Sequence, residues 1–167
     1  EVHGRYQGQA ALHLDHTKDM DIIKAAIDAG FQSVMIDASQ KSFEDNIAIT
    51  REVVEYAHAK NVEVEAELGK IGATDKIETD NDESLYTDSA EAEEFVARTG
   101  VDTLAVSIGT AHGVYPVKNP KIDLERLAQI RKRVSIPLVL HGGSGLPPET
   151  VQAAITIPGG GVSKINI

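Results

Sequence analysis

The segment Leu12-His13-Leu14-Asp15-His16 contains a pattern that the rest of the chain repeats. Residues 10–12 are apolar and predict a short buried strand. Two imidazoles and a carboxylate follow, and Thr17-Lys18-Asp19 predicts the start of a helix. Titratable residues between the end of a strand and the start of a helix are typical of a catalytic loop in an α/β protein.

Apolar strands, polar loops and amphipathic helices alternate from this segment to the end of the chain. Further strands are predicted at 33–37, 62–68, 103–108, 137–140 and 163–167, and helices at 21–30, 43–60, 88–98, 122–133 and 147–155. In the third strand glutamates alternate with apolar residues, so that Glu63, Glu65 and Glu67 share one face. Six strands separated by helices predict a parallel sheet, either open and doubly wound or six of the eight units of a (β/α)8 barrel.

Candidate functional residues follow almost every predicted strand, which favours the barrel over the doubly wound sheet. They are Asp15, His16, Asp37, Glu67, His112, His141 and Asn166. The carboxyl ends of barrel strands meet at one rim, where three protein ligands and an open position would form a catalytic zinc site. From the residues alone, a metal site and a rim of hydrogen-bonded histidines stay equally open. His13 points away from His16 if the strand is regular, so we expect it to be structural.

Three further features suggest chemistry. His141-Gly142-Gly143-Ser144-Gly145 follows a strand, where backbone amides and the Ser144 hydroxyl can bind a phosphate, although a plain glycine-rich turn is the alternative. Residues 69–88 show little periodicity, and so long a connection predicts a functional loop or lid. Lys164 lies inside a strand, where a Schiff-base role is an alternative to metal chemistry.

The composition restricts the partners and the compartment. No cysteine is present, so a metal ion must be bound by His, Asp or Glu. The formal net charge of −10 argues against nucleic acids and anionic membranes as partners. With no signal peptide and no apolar run of about 18 residues, a cytoplasmic protein is expected. We expect residues 1–167 to be a single barrel domain truncated at both ends, because the chain starts at Glu1 and the last strand has barely begun at Ile167.

Six motifs occur in order along essentially the whole chain. They are Leu12-His13-Leu14-Asp15-His16, Ser33-Val34-Met35-Ile36-Asp37, Glu65-Ala66-Glu67-Leu68-Gly69, His112-Gly113-Val114-Tyr115, His141-Gly142-Gly143-Ser144-Gly145 and Lys164-Ile165-Asn166. This set resembles the class II, zinc-dependent ketose-bisphosphate aldolases. The resemblance implies a TIM barrel of which this chain contains the third to eighth strands. It also implies reversible cleavage of fructose or tagatose 1,6-bisphosphate to dihydroxyacetone phosphate and glyceraldehyde 3-phosphate, and a homodimer or homotetramer at full length.

The resemblance further assigns roles to individual residues. Asp15 is implied as the catalytic acid and base, and Asp37 and Glu67 as residues that hold a second metal ion or support the first. The implied zinc ligands are His16, His112 and His141. The residues implied to bind the dihydroxyacetone phosphate half are Gly113, Gly142, Gly143, Ser144, Asn166 and Ile167. A monovalent cation, K⁺ or Na⁺, is a further expected cofactor.

The chain departs from the family pattern in two places, and two other functions stay open. Asp37-Ala38-Ser39-Gln40 ends in glutamine where the family commonly has histidine, which affects a local hydrogen bond rather than the zinc. Gly72-Ala73 replaces the usual double glycine of the long loop. A barrel metal-dependent hydrolase is one alternative, although such sites usually open with His-x-His and this chain has His13-x-x-His16. A non-catalytic barrel fragment that binds a sugar phosphate is the other.

Overall fold

The computed structural model describes residues 10–70, 72–73, 85–112 and 122–167. Its strands are β1 (His13–Thr17), β2 (Ser33–Ile36), β3 (Glu63–Leu68), β4 (Gly72–Ala73), β5 (Thr103–Val106), β6 (Ala111–His112), β7 (Leu138–Leu140) and β8 (Val162–Ile165). Its helices are α1 (Met20–Asp28), α2 (Phe43–His58), α3 (Ser89–Thr99), α4 (Leu124–Arg133) and α5 (Pro148–Thr156). None of the helices in these ranges combines the length and the apolar character needed to cross a membrane.

One parallel sheet contains six of the strands, in the order β1-β2-β3-β5-β7-β8. β1 and β8 lie at opposite ends of this order, yet Nζ of Lys164 on β8 is only 3.2 Å from Nε2 of His13 on β1. The sheet is therefore strongly curved, and side chains on its concave face meet across it. A curved parallel sheet with helices between successive strands is part of a (β/α)8 barrel, as the sequence predicts.

The two faces of the sheet differ in composition. The face that the helices cover holds the main hydrophobic core, in which Leu104 of β5 and Phe95 of α3 are fully buried. Among the described residues, the concave face has a much smaller apolar cluster of Met35, Ala105 and Val139. Hydrophobic burial on the outer face thus stabilises the sheet and leaves the concave face to polar side chains.

Capping side chains determine where four of the helices begin. Asp19, Ser42, Asp88 and Asp123 each accept a hydrogen bond from a backbone N–H group in the first turn of the following helix. Each such cap contributes about 1 kcal/mol to helix stability. The caps fix the ends of the loops that lead from the strands into α1, α2, α3 and α4.

The first strand differs from its predicted position. Residues 10–12 are exposed rather than buried, and β1 begins at His13. The carbonyl oxygen of Leu12 accepts hydrogen bonds from the backbone N–H groups of Gln32 and Ser33, and pairing with β2 continues from His13. Among the described strands β1 pairs with β2 alone, so hydrogen bonds rather than apolar burial define it. The strand therefore includes the histidines that were expected to follow it.

The long connection predicted at residues 69–88 is described at its two ends and at β4. The backbone N–H of Lys70 donates to the carbonyl oxygen of Leu85 at 2.7 Å, and Oγ1 of Thr87 donates to that of Leu68 at 2.5 Å. These bonds tie the two ends together at the carboxyl end of β3. β4 also pairs with β6, which connects the loop to the segment after β5. The predicted lid itself lies mostly outside the described residues.

Gly161 connects α5 to β8 at a point where no side chain fits. A Cβ atom there would lie 1.8 Å from the carbonyl oxygen of Ala154. Gly161→Ala should therefore lower the free energy of unfolding by about 3 kcal/mol, the upper part of the usual range for overpacking. Gly160→Ala is the matched control, because its Cβ would meet nothing within 4 Å and its positive φ should cost about 1 kcal/mol. Equal stabilities of the two variants in urea unfolding would contradict the prediction.

Candidate metal centre

A cleft of about 150 Å³ opens at the carboxyl ends of the strands. The residues that line it are Asp15, His16, His141, Gly142, Ser144, Asn166 and Ile167. Every one of them belongs to the set that the sequence motifs predict. They come from β1 and from the segments after β7 and β8, which are distant in sequence, so the curvature of the sheet is what brings them together.

His16 and His141 face each other in this cleft. The Nε2 atom of His16 lies 2.7 Å from Nδ1 of His141, and the two rings are nearly perpendicular, at 83°. The backbone of His16 has a positive φ of 41°, and the register of β1 against β2 shifts between Leu14 and Thr17. Left-handed backbone at a residue other than glycine costs about 1 kcal/mol, and such strain is concentrated at functional sites.

The other nitrogen of each imidazole faces a carboxylate. Nε2 of His141 donates to Oε1 of Glu65 at 2.8 Å, and Nδ1 of His16 lies 3.4 Å from Oδ2 of Asp37. An ionised carboxylate accepts hydrogen bonds and does not donate them, so these outer nitrogens carry protons. The arrangement resembles the carboxylate–histidine pairs that orient metal-binding histidines in proteins.

The ion pair of His16 with Asp37 shifts the pKa of both groups. The hydrogen bond to Asp37 raises the pKa of His16 above its ordinary value, against the opposing effect of burial. Burial acts to raise the pKa of Asp37, but hydrogen bonds from His16 and from Ser39 outweigh it and hold that pKa well below its usual range. Without a metal ion, a proton on His16 therefore compensates the charge of Asp37. A metal ion bound by His16 must displace a proton from the ring nitrogen that it uses.

Three carboxylates add oxygen ligands to the two histidines. The ligand atoms of Asp15, His16 and His141 lie within 4.8 Å of one another, and so do those of His16, Asp37 and Glu67. Imidazole nitrogen with carboxylate oxygen is a donor set that zinc and related divalent ions accept. The residues of the cleft therefore fit a divalent metal ion, with Asp37 and Glu67 on one side of His16.

Asp15 is the most exposed carboxylate of this group. Its side chain is 52% exposed, and Oδ1 accepts a hydrogen bond from Nδ2 of Asn166 at 2.9 Å. The Asn166 amide also lies 3.2 Å from Nε2 of His141. Asp15 is thus held beside the histidines and stays open to a small molecule in the cleft, which is the position required of a general acid or base.

The glycine-rich loop after β7 packs closely against two other segments. Gly142 has a positive φ of 69°, and a Cβ atom there would lie 2.3 Å from the carbonyl oxygen of Ala111. The N–H of Gly143 donates to the carbonyl oxygen of Asn166 at 2.9 Å, so that amide is used within the fold. Ser144 is exposed at the cleft. In this conformation a phosphate would meet the Ser144 hydroxyl rather than the amide of Gly143.

Two predicted site residues lie wholly or partly outside the described structure. The backbone of His112 belongs to β6, directly after the buried Ala111 that contacts Gly142. The side chain of His112 and all of Gly113 are outside the described residues. Their predicted roles therefore stay predictions.

The polar network includes Glu65, which the sequence did not single out, Lys164, which the sequence offered as a Schiff-base alternative, and His13, for which it predicts a structural role. Glu65 contacts His141, Lys164 donates to Glu65 at 2.7 Å, and His13 lies between Lys164 and Ser33. The prediction that His13 points away from His16 assumes a regular strand. The register of β1 shifts between Leu14 and Thr17, so the strand is not regular, and both rings belong to this network. The strict alternation in β3 placed Glu65 on the face of Glu67, and that signal could have identified it.

Replacing either cleft histidine should remove metal binding. We expect His16→Ala and His141→Ala to weaken Zn²⁺ binding by more than about 100-fold. This exceeds the loss of about 10–100-fold that follows removal of a residue that only hydrogen-bonds to a metal ligand. His58→Ala is the matched control, because His58 bonds to Asp102 and does not line the cleft. Competition with a chromophoric chelator measures the affinities. An unchanged affinity in His141→Ala would exclude this cleft as the metal site.

The chain is similar to known aldolases in sequence and in structure. A family model described as fructose-bisphosphate aldolase class-II matches residues 2–167. The YdjI aldolase of Escherichia coli K12 is 40% identical over 99% of this chain and 56% of its own, with a TM-score of 0.83. A putative fructose-1,6-bisphosphate aldolase of Coccidioides immitis is 40% identical over 93% of this chain and 55% of its own, with a TM-score of 0.77.

A third solved structure is also similar in fold, at a lower sequence identity. Fructose-bisphosphate aldolase of Campylobacter jejuni is 30% identical over 94% of this chain and 51% of its own, with a TM-score of 0.72. The chain therefore spans about half the length of the solved structures that it matches. The family match covers almost every residue, and the chain belongs to the class II fructose-bisphosphate aldolase family.

Proposed function

We propose that the protein catalyses the zinc-dependent, reversible cleavage of a ketose 1,6-bisphosphate, fructose or tagatose, to dihydroxyacetone phosphate and glyceraldehyde 3-phosphate. The observation that carries this proposal is the meeting of His16, His141 and Asp15 at one cleft in a chain of the aldolase family. The same cleft is lined by Gly142, Ser144, Asn166 and Ile167, four of the residues to which the motifs assign substrate contacts. Family membership favours this reaction over that of a barrel metal-dependent hydrolase.

Zn²⁺ is the proposed cofactor, and its ligands would be three histidines. His16 and His141 face each other at the cleft, and His112 is the third proposed ligand on the strength of its motif. Asp37 and Glu67 would support His16 or hold a second ion. When bound, the metal ion supplies a Lewis acid that stabilises the negative charge developing on the substrate oxygens as the C3–C4 bond breaks.

Asp15 is the proposed acid and base. In cleavage its carboxylate would accept the proton of the C4 hydroxyl, while the C3–C4 bond breaks and C4 becomes an aldehyde carbon. In condensation it would return that proton to the new hydroxyl. The Asn166 amide holds Oδ1 of Asp15 and leaves the carboxylate half exposed, which suits a group that meets substrate.

The phosphate of the dihydroxyacetone half would bind beside the glycine-rich loop. Ser144 lines the cleft with an exposed hydroxyl, and Asn166 and Ile167 lie next to it. Gly142 and Gly143 would shape this loop by allowing its close approach to Ala111 and to β8. Gly113 and a K⁺ or Na⁺ ion are further proposed contributors. Fixing the phosphate would position C3 and C4 for the reaction.

The remaining proposals concern the whole protein. We expect a homodimer or homotetramer in the cytoplasm, acting on small sugar phosphates and not on nucleic acid or membranes. The rival possibility is a barrel that binds a sugar phosphate without cleaving it. Binding of dihydroxyacetone phosphate without turnover of either bisphosphate would favour that rival.

Chelation should abolish the activity. Treatment with EDTA is expected to stop cleavage of the ketose 1,6-bisphosphate, because Lewis-acid stabilisation is lost, and added Zn²⁺ should restore it. A coupled assay run side by side on fructose and tagatose 1,6-bisphosphate measures both the loss and the substrate preference. Activity that persists in the chelator, together with a lysine adduct trapped by borohydride, would show a Schiff-base enzyme instead.

Neutralising Asp15 should stop proton transfer while leaving the metal site occupied. Asp15→Asn is expected to lower kcat by about 10²–10⁴-fold, the usual contribution of a positioned acid or base. Asp28→Asn is the matched control, since Asp28 is an exposed carboxylate paired with Lys60 outside the cleft. Steady-state kinetics and the zinc content of both variants test this. A kcat for Asp15→Asn within twofold of the control would remove Asp15 from the mechanism.

A further inference from the structure

Glu65 is a buried carboxylate that the proposed reaction does not use. Its side chain is 2% exposed, and both oxygens are hydrogen-bonded. Oε1 accepts from Nε2 of His141 at 2.8 Å, and Oε2 accepts from Nζ of Lys164 at 2.7 Å. One carboxylate on β3 thus binds the residue that follows β7 and a residue on β8, and neither of these strands neighbours β3 in the sheet.

The contact with Glu65 determines which nitrogen of His141 carries a proton. An ionised carboxylate can only accept, so Nε2 of His141 must be the donor. In a neutral imidazole the second nitrogen, Nδ1, is then unprotonated, and Nδ1 is the atom that faces His16 in the cleft. Glutamine in place of Glu65 would remove this constraint, because its amide group can donate as well as accept.

Lys164 makes an ionised carboxylate compatible with burial at this position. A buried carboxylate without a cation is strongly unfavourable, and a paired cation with good geometry offsets much of that cost. His13 holds the ammonium group from a second side. Its Nε2 lies 3.2 Å from Nζ of Lys164, and its Nδ1 lies 2.9 Å from Oγ of Ser33. Lys164 is thus fixed against Glu65 rather than directed into the cleft.

We infer that Glu65 and Lys164 form a positioning pair that keeps Nδ1 of His141 unprotonated and directed into the cleft, and that this pair sets the metal affinity of the site. Lys164 is then a counter-ion and not a Schiff-base nucleophile. The affinity part rests on the proposed function. The tautomer part concerns the metal-free protein and is independent of it.

Glu65→Gln tests the pair, with Glu63→Gln as its matched control on the same strand. Glu63 is exposed, whereas Glu65 is buried, so the two variants make the same chemical change in different surroundings. Chelator competition should show that Zn²⁺ binds about 10–100-fold more weakly to Glu65→Gln, the usual loss when the partner of a metal-binding histidine is removed. Nuclear magnetic resonance of ¹⁵N-labelled histidines in the metal-free protein should show a proton on Nε2 of His141 in the wild type and loss of that preference in the variant. Glu63→Gln should change neither.

A double variant separates positioning from stability. Glu65→Gln alone leaves Lys164 without its counter-charge and can lower stability for that reason. Glu65→Gln combined with Lys164→Met removes both charges, so it should fold with a cooperative thermal transition and still bind Zn²⁺ at least about 10-fold more weakly than Glu63→Gln. A double variant with wild-type affinity and the wild-type His141 tautomer would overturn the inference.

The two proposals can fail separately. If the wild-type protein cleaves the bisphosphate with zinc but Glu65→Gln matches Glu63→Gln in affinity and tautomer, the positioning pair is excluded and the aldolase stands. If the wild-type protein binds no Zn²⁺, the proposed function fails. The tautomer of His141 in the Glu65 variant then still decides whether Glu65 positions that ring.

Discussion

An ionised carboxylate buried on the concave face of the sheet is the constraint on which the site depends. Glu65 is 2% exposed, so its oxygens need donors from the protein. Those donors are His141, directly after β7, and Lys164, on β8, and they can reach Glu65 only because the sheet is curved. Breaking one partner of such a buried pair typically costs about 3–5 kcal/mol. The same hydrogen bonds therefore support the curvature of the sheet and the orientation of a cleft histidine.

The two faces of the sheet have different roles, because one stabilises the fold and the other carries the charged groups of the site. The helix-covered face carries the large apolar core, while the small concave cluster of Met35, Ala105 and Val139 leaves space for charged groups. The charges compensate one another in the absence of metal. Burial acts to raise the pKa of Glu65, but hydrogen bonds from His141 and Lys164 lower it. The site is thus organised before a metal ion arrives, which reduces the cost of ordering its ligands on binding.

Most of the fold could be predicted from the sequence because strands and helices have distinct hydrophobic periods. The strand predicted at 62–68 and the helix predicted at 88–98 depend on neighbours in sequence, and both are present in the structure as β3 and α3. The start of β1 was wrong because that strand is defined by pairing with β2 and not by apolar burial. The left-handed backbone of His16 and the contact between Glu65 and His141, 76 residues apart, depend on tertiary packing that no local pattern encodes.

The charge balance of the cleft also bears on how the proposed anionic substrate would bind there. Among the described residues, the carboxylates in and around the cleft are Asp15, Asp37, Glu65 and Glu67. Lys164 is paired with Glu65, the proton on His16 compensates Asp37, and the cleft donors Ser144 and Asn166 are neutral. The proposed bisphosphate substrate would approach a chain of formal net charge −10 at a cleft that includes the exposed carboxylate of Asp15. If the protein is the proposed aldolase, we therefore expect a divalent cation to favour binding of this substrate as well as to take part in the chemistry.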